Sequence, residues 1–128
     1  TGARSAPSLS LFAESPMKLR QTVAPTVAPE TDRPPPDRLI SGDPVFTTWK
    51  LEDRDGLYCG IWEATPGKWR GVYSEWEYCY IRAGVVIITE DGKDPVTYSA
   101  GDSFIVRPGW EGTWEVVETV RKDYVIRT

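Results

Sequence analysis

Residues 73–84 read YSEWEYCYIRAG, and they carry the clearest structural signal in the chain. Acidic or apolar residues alternate with aromatic ones until the run breaks at Gly84, a pattern typical of a β-strand. Side chains along a strand point to alternate faces, so Glu75 and Glu77 are predicted to share one face. The segment predicts a β-protein, and it raises the question of what such a protein does with two neighbouring carboxylates.

From Leu39 onward the chain repeats this pattern of short β-type runs separated by turn signals. Pairs such as Asp55-Gly56 and Asp91-Gly92 are typical of tight turns, and no run has helical spacing over three turns. The predicted strands are Val45–Leu51, Leu57–Thr65, Trp69–Tyr73, Glu75–Ile81, Gly84–Thr89, Val96–Ser99, Ser103–Val106, Thr113–Glu118 and Lys122–Arg127. We expect an all-β jelly roll or small barrel, because an open sheet of this many strands would expose its edges.

Residues 1–38 differ from the rest of the chain in composition, since they hold seven of the 11 prolines. Proline lacks a backbone donor and fixes φ, so this segment cannot form a core helix or an inner strand. It is either a disordered tail or an extended arm that docks on a sheet face or on a neighbouring subunit. We favour a docked Pro-rich N-terminal arm over residues 1–38, followed by one β-domain over residues 39–128. The apolar arm residues are Leu9, Leu11, Phe12, Met17 and Leu19.

Length and charge exclude several classes of function. The chain has 128 residues and a formal net charge of −4, which argues against nucleic-acid binding, because that depends on clustered Lys and Arg. No apolar run is long enough for a membrane span, and the N-terminus lacks the apolar core of a secretory signal. We therefore expect a cytoplasmic protein whose two cysteines, Cys59 and Cys79, are small buried apolar residues.

Three segments carry a family resemblance: GIWEATPGKW at 60–69, YSEWEYCYIRAG at 73–84 and AGDSFIVRPGWEGTWEVVETVRKDYVI at 100–126. Together they resemble the cupin superfamily, and within it the branch of the ureidoglycine aminohydrolase and ethanolamine-utilisation cupins. The resemblance covers residues 40–126 and implies a single-domain cupin jelly roll, also called a double-stranded β-helix. Cupins host many unrelated activities on one scaffold, so the resemblance does not name a function.

The resemblance also implies a metal site, from which this chain departs. Its glutamate position falls on Glu77, whereas the three histidine positions fall on Gly71, Tyr73 and Gly112. The chain contains no histidine, and neutral imidazole is the ligand that suits zinc, iron and nickel. We therefore predict no transition-metal cofactor, and we leave open a hard ion held weakly at Glu77.

Strand alternation places the two carboxylates relative to the predicted cavity. If Glu77 points inward, as the family's glutamate does, Tyr73 and Glu75 point inward with it. Counting in the same way from Gly112 turns Trp114 inward on the opposite wall, which gives a cavity with aromatic walls and an acidic floor. The candidate catalytic residues are Glu75 and Glu77, and the candidate ligand-binding residues are Trp62, Tyr73, Glu75, Glu77, Trp110 and Trp114.

Each candidate also has a purely structural interpretation. An inward glutamate can form an ion pair with an inward Lys122 or Arg121, as buried carboxylates often do. Aromatic side chains commonly fill sheet cores, so most of the six tryptophans are expected in the core or in an interface. The residues alone are compatible with both roles for Glu77.

Three classes of function fit these residues. The one that we favour is a small-molecule-binding cupin, whose cavity holds a cationic or polyhydroxylated ligand without a metal. The second is a metal-independent or weakly metal-assisted enzyme in which Glu75 and Glu77 act as general acid and base on a small polar or amine-containing metabolite. The third is a non-catalytic dimeric scaffold or regulatory protein.

The outward residues of the same strand predict a homodimer. Trp76, Tyr78 and Tyr80 would form an aromatic face that a monomer leaves in water. The resemblance likewise implies dimers in which one sheet packs on its partner. The arm at residues 1–38 would extend along the partner's surface, with its three consecutive prolines as a stiff spacer.

Overall fold

A computed structural model describes residues 18–128, and these residues form nine strands and no helix. The predicted all-β class is therefore confirmed. None of the described segments forms a helix of the length and apolarity that a membrane span needs. The strands are β1 (Glu30–Asp32), β2 (Leu39–Gly42), β3 (Phe46–Arg54), β4 (Leu57–Ala64), β5 (Gly67–Val72), β6 (Trp76–Glu90), β7 (Val96–Ser99), β8 (Ser103–Val106) and β9 (Glu111–Arg127).

Strand β9, with 17 residues, organises the whole sheet. Its first part pairs with β5 and its last part with β4, while β6 pairs along its other edge, and all of these pairs are antiparallel. Strands β7 and β8 extend the sheet beyond β6, and β1, β3 and β2 extend it on the other side. The single curled sheet has the jelly-roll architecture that the sequence predicts.

The predicted break at Gly84 is a bulge inside a continuous strand. Strand β6 runs through it and joins two predicted strands, and β9 likewise joins two others. The register between β6 and β9 shifts on both sides of Ala83, and Gly84 has a φ of +90°. A Cβ at Gly84 would collide with the carbonyl oxygen of Thr119. Glycine here lets two long strands bend together, whereas the sequence pattern suggested a turn between two strands.

The N-terminal segment contributes an edge strand to the sheet. Strand β1 lies within the predicted arm and pairs with the start of β3, an edge position that proline-rich segments can occupy. Thr22 lies with Tyr78 and Tyr80 in a shallow groove on the outer sheet face. Leu19, a predicted docking residue, is 82% exposed and is not packed against the described part of the chain. The other predicted docking residues, Leu9, Leu11, Phe12 and Met17, lie outside the described residues.

The apolar core fills one part of the jelly-roll interior. Its members alternate along β5, β6 and β9, as expected where one face of each strand is buried. They are Ala64, Trp69, Ile81, Val86, Ile88, Trp114, Val116 and Val120. The half-buried rings of Phe46 and Trp62 pack against this cluster, and they also form the boundary between the core and an open cavity.

Candidate functional site

An open cavity of about 460 Å³ occupies the rest of the interior. Strands β3, β4 and β9 each present alternate residues to it, because side chains of a strand point to one face with a period of two. Its lining residues are Phe46, Thr48, Lys50, Glu52, Tyr58, Trp62, Trp69, Tyr73, Glu75, Glu77, Lys122, Tyr124 and Ile126. The volume is suitable for a small metabolite, since ligand pockets begin at about 300 Å³.

A buried ion pair lies at the base of the cavity. The Lys122 ammonium donates a hydrogen bond of 2.8 Å to the Glu77 carboxylate, and the two side chains are only 4% and 7% exposed. Lys122 lies on β9, and its cross-strand partner on β6 is Ile81. Its long side chain therefore extends along the sheet to reach Glu77. Its Nζ is also 3.5 Å from the Cys79 sulfur. Of the two possible partners predicted for an inward glutamate, Lys122 is therefore the one present, while Arg121 pairs with Glu63.

Two indole rings complete the surroundings of the Lys122 ammonium. Its Nζ lies 4.5 Å from the ring centroid of Trp62 and 4.6 Å from that of Trp114. Both distances are within the range of cation–π attraction, which is strongest where the cation has lost its water. The ammonium is thus held by one carboxylate and two aromatic faces.

The charges around this pair follow from its burial. Burial alone would lower the pKa of Lys122, but attraction to Cys79, Glu77 and Tyr73 in their ionised forms outweighs it and raises that pKa. Desolvation raises the pKa of the Cys79 thiol to about 12 and also raises the pKa of Tyr73, so both groups are neutral at pH 7. The Glu77 carboxylate is therefore the partner that keeps Lys122 charged.

The upper wall of the cavity is aromatic. The ring of Phe46 lies 5.1 Å from that of Trp62 and 4.8 Å from that of Trp69, measured between centroids. Trp114 lies behind this wall, 5.7 Å from Trp62, and it stacks on Trp69 with an interplanar angle of 18°. These rings bury large apolar surfaces against one another, which makes the wall rigid.

Four of the six predicted ligand-binding residues line the cavity, and two do not. Trp62, Tyr73, Glu75 and Glu77 are lining residues. Trp114 is only 1% exposed and belongs to the core behind the wall. Its indole nitrogen has no hydrogen-bond partner among the described residues.

Trp110, the other predicted residue that does not line the cavity, packs edge-on against Tyr73 at 5.4 Å. Alternation from Gly112 gave the correct face for Trp114. It could not reveal that neighbouring rings separate Trp114 from the open space.

Sequence reasoning missed most of the β3 and β4 wall. Phe46, Thr48, Lys50 and Glu52 alternate along β3 on the cavity face. The period-two pattern of residues 46–52 could have indicated this face, had β3 been recognised as a cavity wall. Tyr58, Trp69, Tyr124 and Ile126 are further lining residues that were not predicted.

The remaining charged groups lie around the cavity. Glu75 precedes β6, is half-buried and has no ion-pair partner among residues 18–128. Lys50 is 3.2 Å from Glu30, and both side chains are more than half exposed. Glu52 is 3.9 Å from Arg54, a distance and exposure at which an ion pair contributes little. The ion pair therefore neutralises the base of the cavity, and the unpaired negative charge of the cavity lining is on Glu75.

The residues at the family's metal positions do not fit a metal. Within the described part of the chain, no group of three or more His, Cys, Asp or Glu side chains is placed to hold an ion. The one carboxylate at those positions, Glu77, already binds an ammonium. Zinc and iron need several nitrogen, sulfur or oxygen donors, and Gly71 and Gly112 supply none from their side chains.

A curled antiparallel sheet around an interior cavity is the architecture of the cupins and of other small β-barrels. The family model for the EutQ-like cupin domain matches residues 51–124, which is more than half of the chain. The chain therefore belongs to the EutQ-like cupin family, as the sequence motifs indicated. A search of curated proteins found no match.

Solved structures with the same fold include three proteins of low sequence identity. A protein of unknown function from Pseudomonas syringae pv. tomato has a TM-score of 0.68 and 23% identity, and the alignment covers 78% of this chain and 43% of that protein. The EutQ protein of Clostridium difficile has a TM-score of 0.60 and 24% identity, with coverages of 66% and 63%. A putative ethanolamine utilisation protein Q from Salmonella typhimurium has a TM-score of 0.58 and 14% identity, with coverages of 64% and 68%. The chain thus spans less than two thirds of the first two relatives.

Proposed function

We propose that this chain is a small-molecule-binding cupin that holds a small cationic or polyhydroxylated ligand in its interior cavity without a metal. The observation that carries the proposal is the combination of an aromatic wall with an uncompensated, half-buried carboxylate, Glu75, in a cavity of about 460 Å³. Aromatic faces bind cations and the apolar faces of sugars, and a carboxylate accepts hydrogen bonds from ammonium or hydroxyl groups. An ordinary core would leave neither group facing an open space.

The charge distribution favours a cation over an anion. Glu77 and Lys122 neutralise each other at the base of the cavity. Glu75 is therefore the half-buried, unpaired charge that a ligand in the cavity would contact. Lys50 is the other cation of the cavity lining, and it is more than half exposed beside Glu30. An anionic ligand would face repulsion from Glu75 and would find its nearest buried cation already bound.

The ion pair weakens the case for an enzyme that uses both glutamates. A general acid or base must be free to exchange a proton with the substrate, and the Glu77 oxygen that would do so is 2.8 Å from an ammonium. Glu75 remains the better candidate for any proton transfer. We therefore place ligand binding first and retain the enzyme as a second candidate only through Glu75.

A ligand search by thermal shift tests the proposal. The Salmonella relative is described as a putative ethanolamine utilisation protein, so ethanolamine, choline and other small amines are sensible first probes, with ethylene glycol and inositols as neutral comparisons. A ligand that binds only the folded state raises the melting temperature. Glu75→Gln should abolish the response. Glu118→Gln removes the same charge at an exposed position of β9 and should preserve it. Responses that survive Glu75→Gln would place the ligand elsewhere.

We further propose that the outer aromatic face forms a homodimer interface. Tyr80 is 39% exposed and Ile105, on the adjacent strand β8, is 50% exposed, although both lie within a continuous sheet. Exposed apolar residues on a sheet face favour packing against a second copy. Sedimentation equilibrium at concentrations on the order of tens of micromolar tests this state, and a monomer at those concentrations would reject it.

A further inference from the structure

The positions that the cupin motifs assign to metal ligands are filled by other groups in this chain. Gly71 and Gly112 are cross-strand partners in the β5–β9 pair. The Trp110 ring lies over both, because a Cβ at Gly112 would be 2.8 Å from Cζ2 of that ring and a Cβ at Gly71 would be 3.2 Å from its Cζ3. A Cβ at Gly112 would also collide with the carbonyl oxygen of Thr89. A side chain is thus sterically excluded at Gly112, and at Gly71 it would require the Trp110 ring to shift.

Glu77 is the glutamate among the four metal-ligand positions of the cupin motifs, and it retains its carboxylate. The cation that it faces is the ammonium group of Lys122. Lys122 Nζ is 2.8 Å from Glu77 Oε2, and the pair is almost fully buried. The two indole faces at 4.5 and 4.6 Å surround the same nitrogen. Aromatic faces around a carboxylate are the surroundings that proteins use to bind ammonium groups, whereas a divalent metal needs several donor atoms with lone pairs.

We infer that the Lys122 ammonium takes the place of the metal ion in this cupin, so that Glu77, Trp62 and Trp114 form an ammonium-binding site whose ligand is the chain's own lysine. Three independent contacts support this assignment: the hydrogen bond to the carboxylate and the two cation–π contacts. The cation is covalently fixed, and it cannot be lost or exchanged as a metal can. This assignment does not depend on the cavity having a ligand of its own.

Removing the lysine side chain beyond Cβ should therefore leave a site that fits a free alkylammonium ion. Lys122 lines the open cavity, so a small amine can reach Glu77 from solvent in the variant Lys122→Ala. The missing group is a propylammonium unit, and 1-propanol has nearly the same shape without the charge. These two compounds form a matched pair of probes.

The experiment measures the melting temperature of four proteins with each probe: wild type, Lys122→Ala, Glu77→Gln and the double variant Lys122→Ala/Glu77→Gln. We expect propylammonium to raise the melting temperature of Lys122→Ala saturably, by roughly 5–10 °C. Wild type and the double variant should lack this Glu77-dependent response, because the lysine fills the site in the first and the carboxylate is missing from the second. Any shift caused by an amine beside Glu75 should be the same in all four proteins. 1-Propanol should have no such effect. A Lys122→Ala protein that responds equally to both probes, or to neither, would overturn the assignment.

Two further measurements keep the inference testable if Lys122→Ala does not fold in buffer alone. Refolding from urea with propylammonium should then restore the folded protein, whereas refolding with 1-propanol should not, and failure with both would count against the assignment. In wild type, zinc and manganese should leave the melting temperature unchanged, as should a chelator. One equivalent of bound metal in wild type that Glu77→Gln abolishes would show that Glu77 is a metal ligand and would refute the inference.

Discussion

Neutralising Glu77 is the perturbation that most directly tests the cavity base. In the variant Glu77→Gln, the amide keeps the shape of the side chain and one acceptor oxygen for Lys122, but it removes the negative charge. The Lys122 ammonium, whose side chain is 4% exposed, is then left buried without a counter-ion. On sequence grounds Glu77 was either a ligand-binding carboxylate, whose neutralisation would cost little stability, or the partner of Lys122 or Arg121. The observed pair with Lys122 predicts a substantial loss of stability.

The size of the effect follows from the burial of both partners. Breaking a buried pair by removing one partner costs about 3–5 kcal/mol, because the remaining charge is uncompensated. We expect about 3 kcal/mol for glutamine, since it retains one hydrogen bond to the ammonium. With an unfolding entropy of about 2.1 cal/mol/K per residue, this corresponds to a decrease of roughly 10–15 °C in melting temperature for a domain of this size.

A double-mutant cycle in urea gives the decisive measurement. Glu77→Gln and Lys122→Met are compared singly and together, and the coupling free energy is obtained from the four values of the free energy of unfolding. The double variant has no buried charge, so it should be more stable than either single variant. A loss below about 1 kcal/mol for Glu77→Gln, or a double variant whose loss equals the sum of the single losses, would refute the argument that this pair is energetically coupled.

Three other predictions concern different parts of the molecule. Desolvation raises the pKa of Cys79 to about 12, above its unfolded value of about 8.5. The protonated Cys79 thiol therefore contributes fully to stability below about pH 8.5, and this contribution is lost as pH rises toward 12. Cys79→Ala should flatten the decrease in the free energy of unfolding at alkaline pH. Gly84→Ala should lower the melting temperature more than Gly92→Ala, because both glycines have positive φ but only a Cβ at Gly84 meets the backbone; equal decreases would contradict the bulge assignment. Tyr80→Glu should convert the proposed dimer to a monomer in sedimentation equilibrium, and an unchanged dimer would exclude this face as the interface.

The sequence predicts the local features of this fold well, because strand alternation and turn chemistry depend on neighbouring residues. It predicted that Glu77 points inward and that Cys79 is buried, and both residues are buried. It could not decide whether Gly84 ends a strand, since the collision that requires glycine there involves Thr119, a residue far along the chain.

The site shows the same division between local and non-local information. The inward direction of Glu77 follows from its own strand, whereas its pairing with Lys122 depends on the register between β6 and β9 and on the reach of a long side chain. Both Lys122 and Arg121 were possible partners on sequence grounds. Alternation along β9 turns Lys122 to the cavity and Arg121 to the other face, where it pairs with Glu63, and the register then brings Lys122 within reach of Glu77.

The fixed cation at the base determines how a ligand would lie in the proposed binding cavity. Because Lys122 already neutralises Glu77, a ligand gains no electrostatic energy by placing its positive end at the deepest point, where the ammonium would repel it. Its charged end is better placed beside Glu75, with its uncharged part against the rings of Phe46 and Trp62. A ligand whose positive charge is at one end, and whose uncharged part can be buried, would therefore suit the proposed binding cavity best.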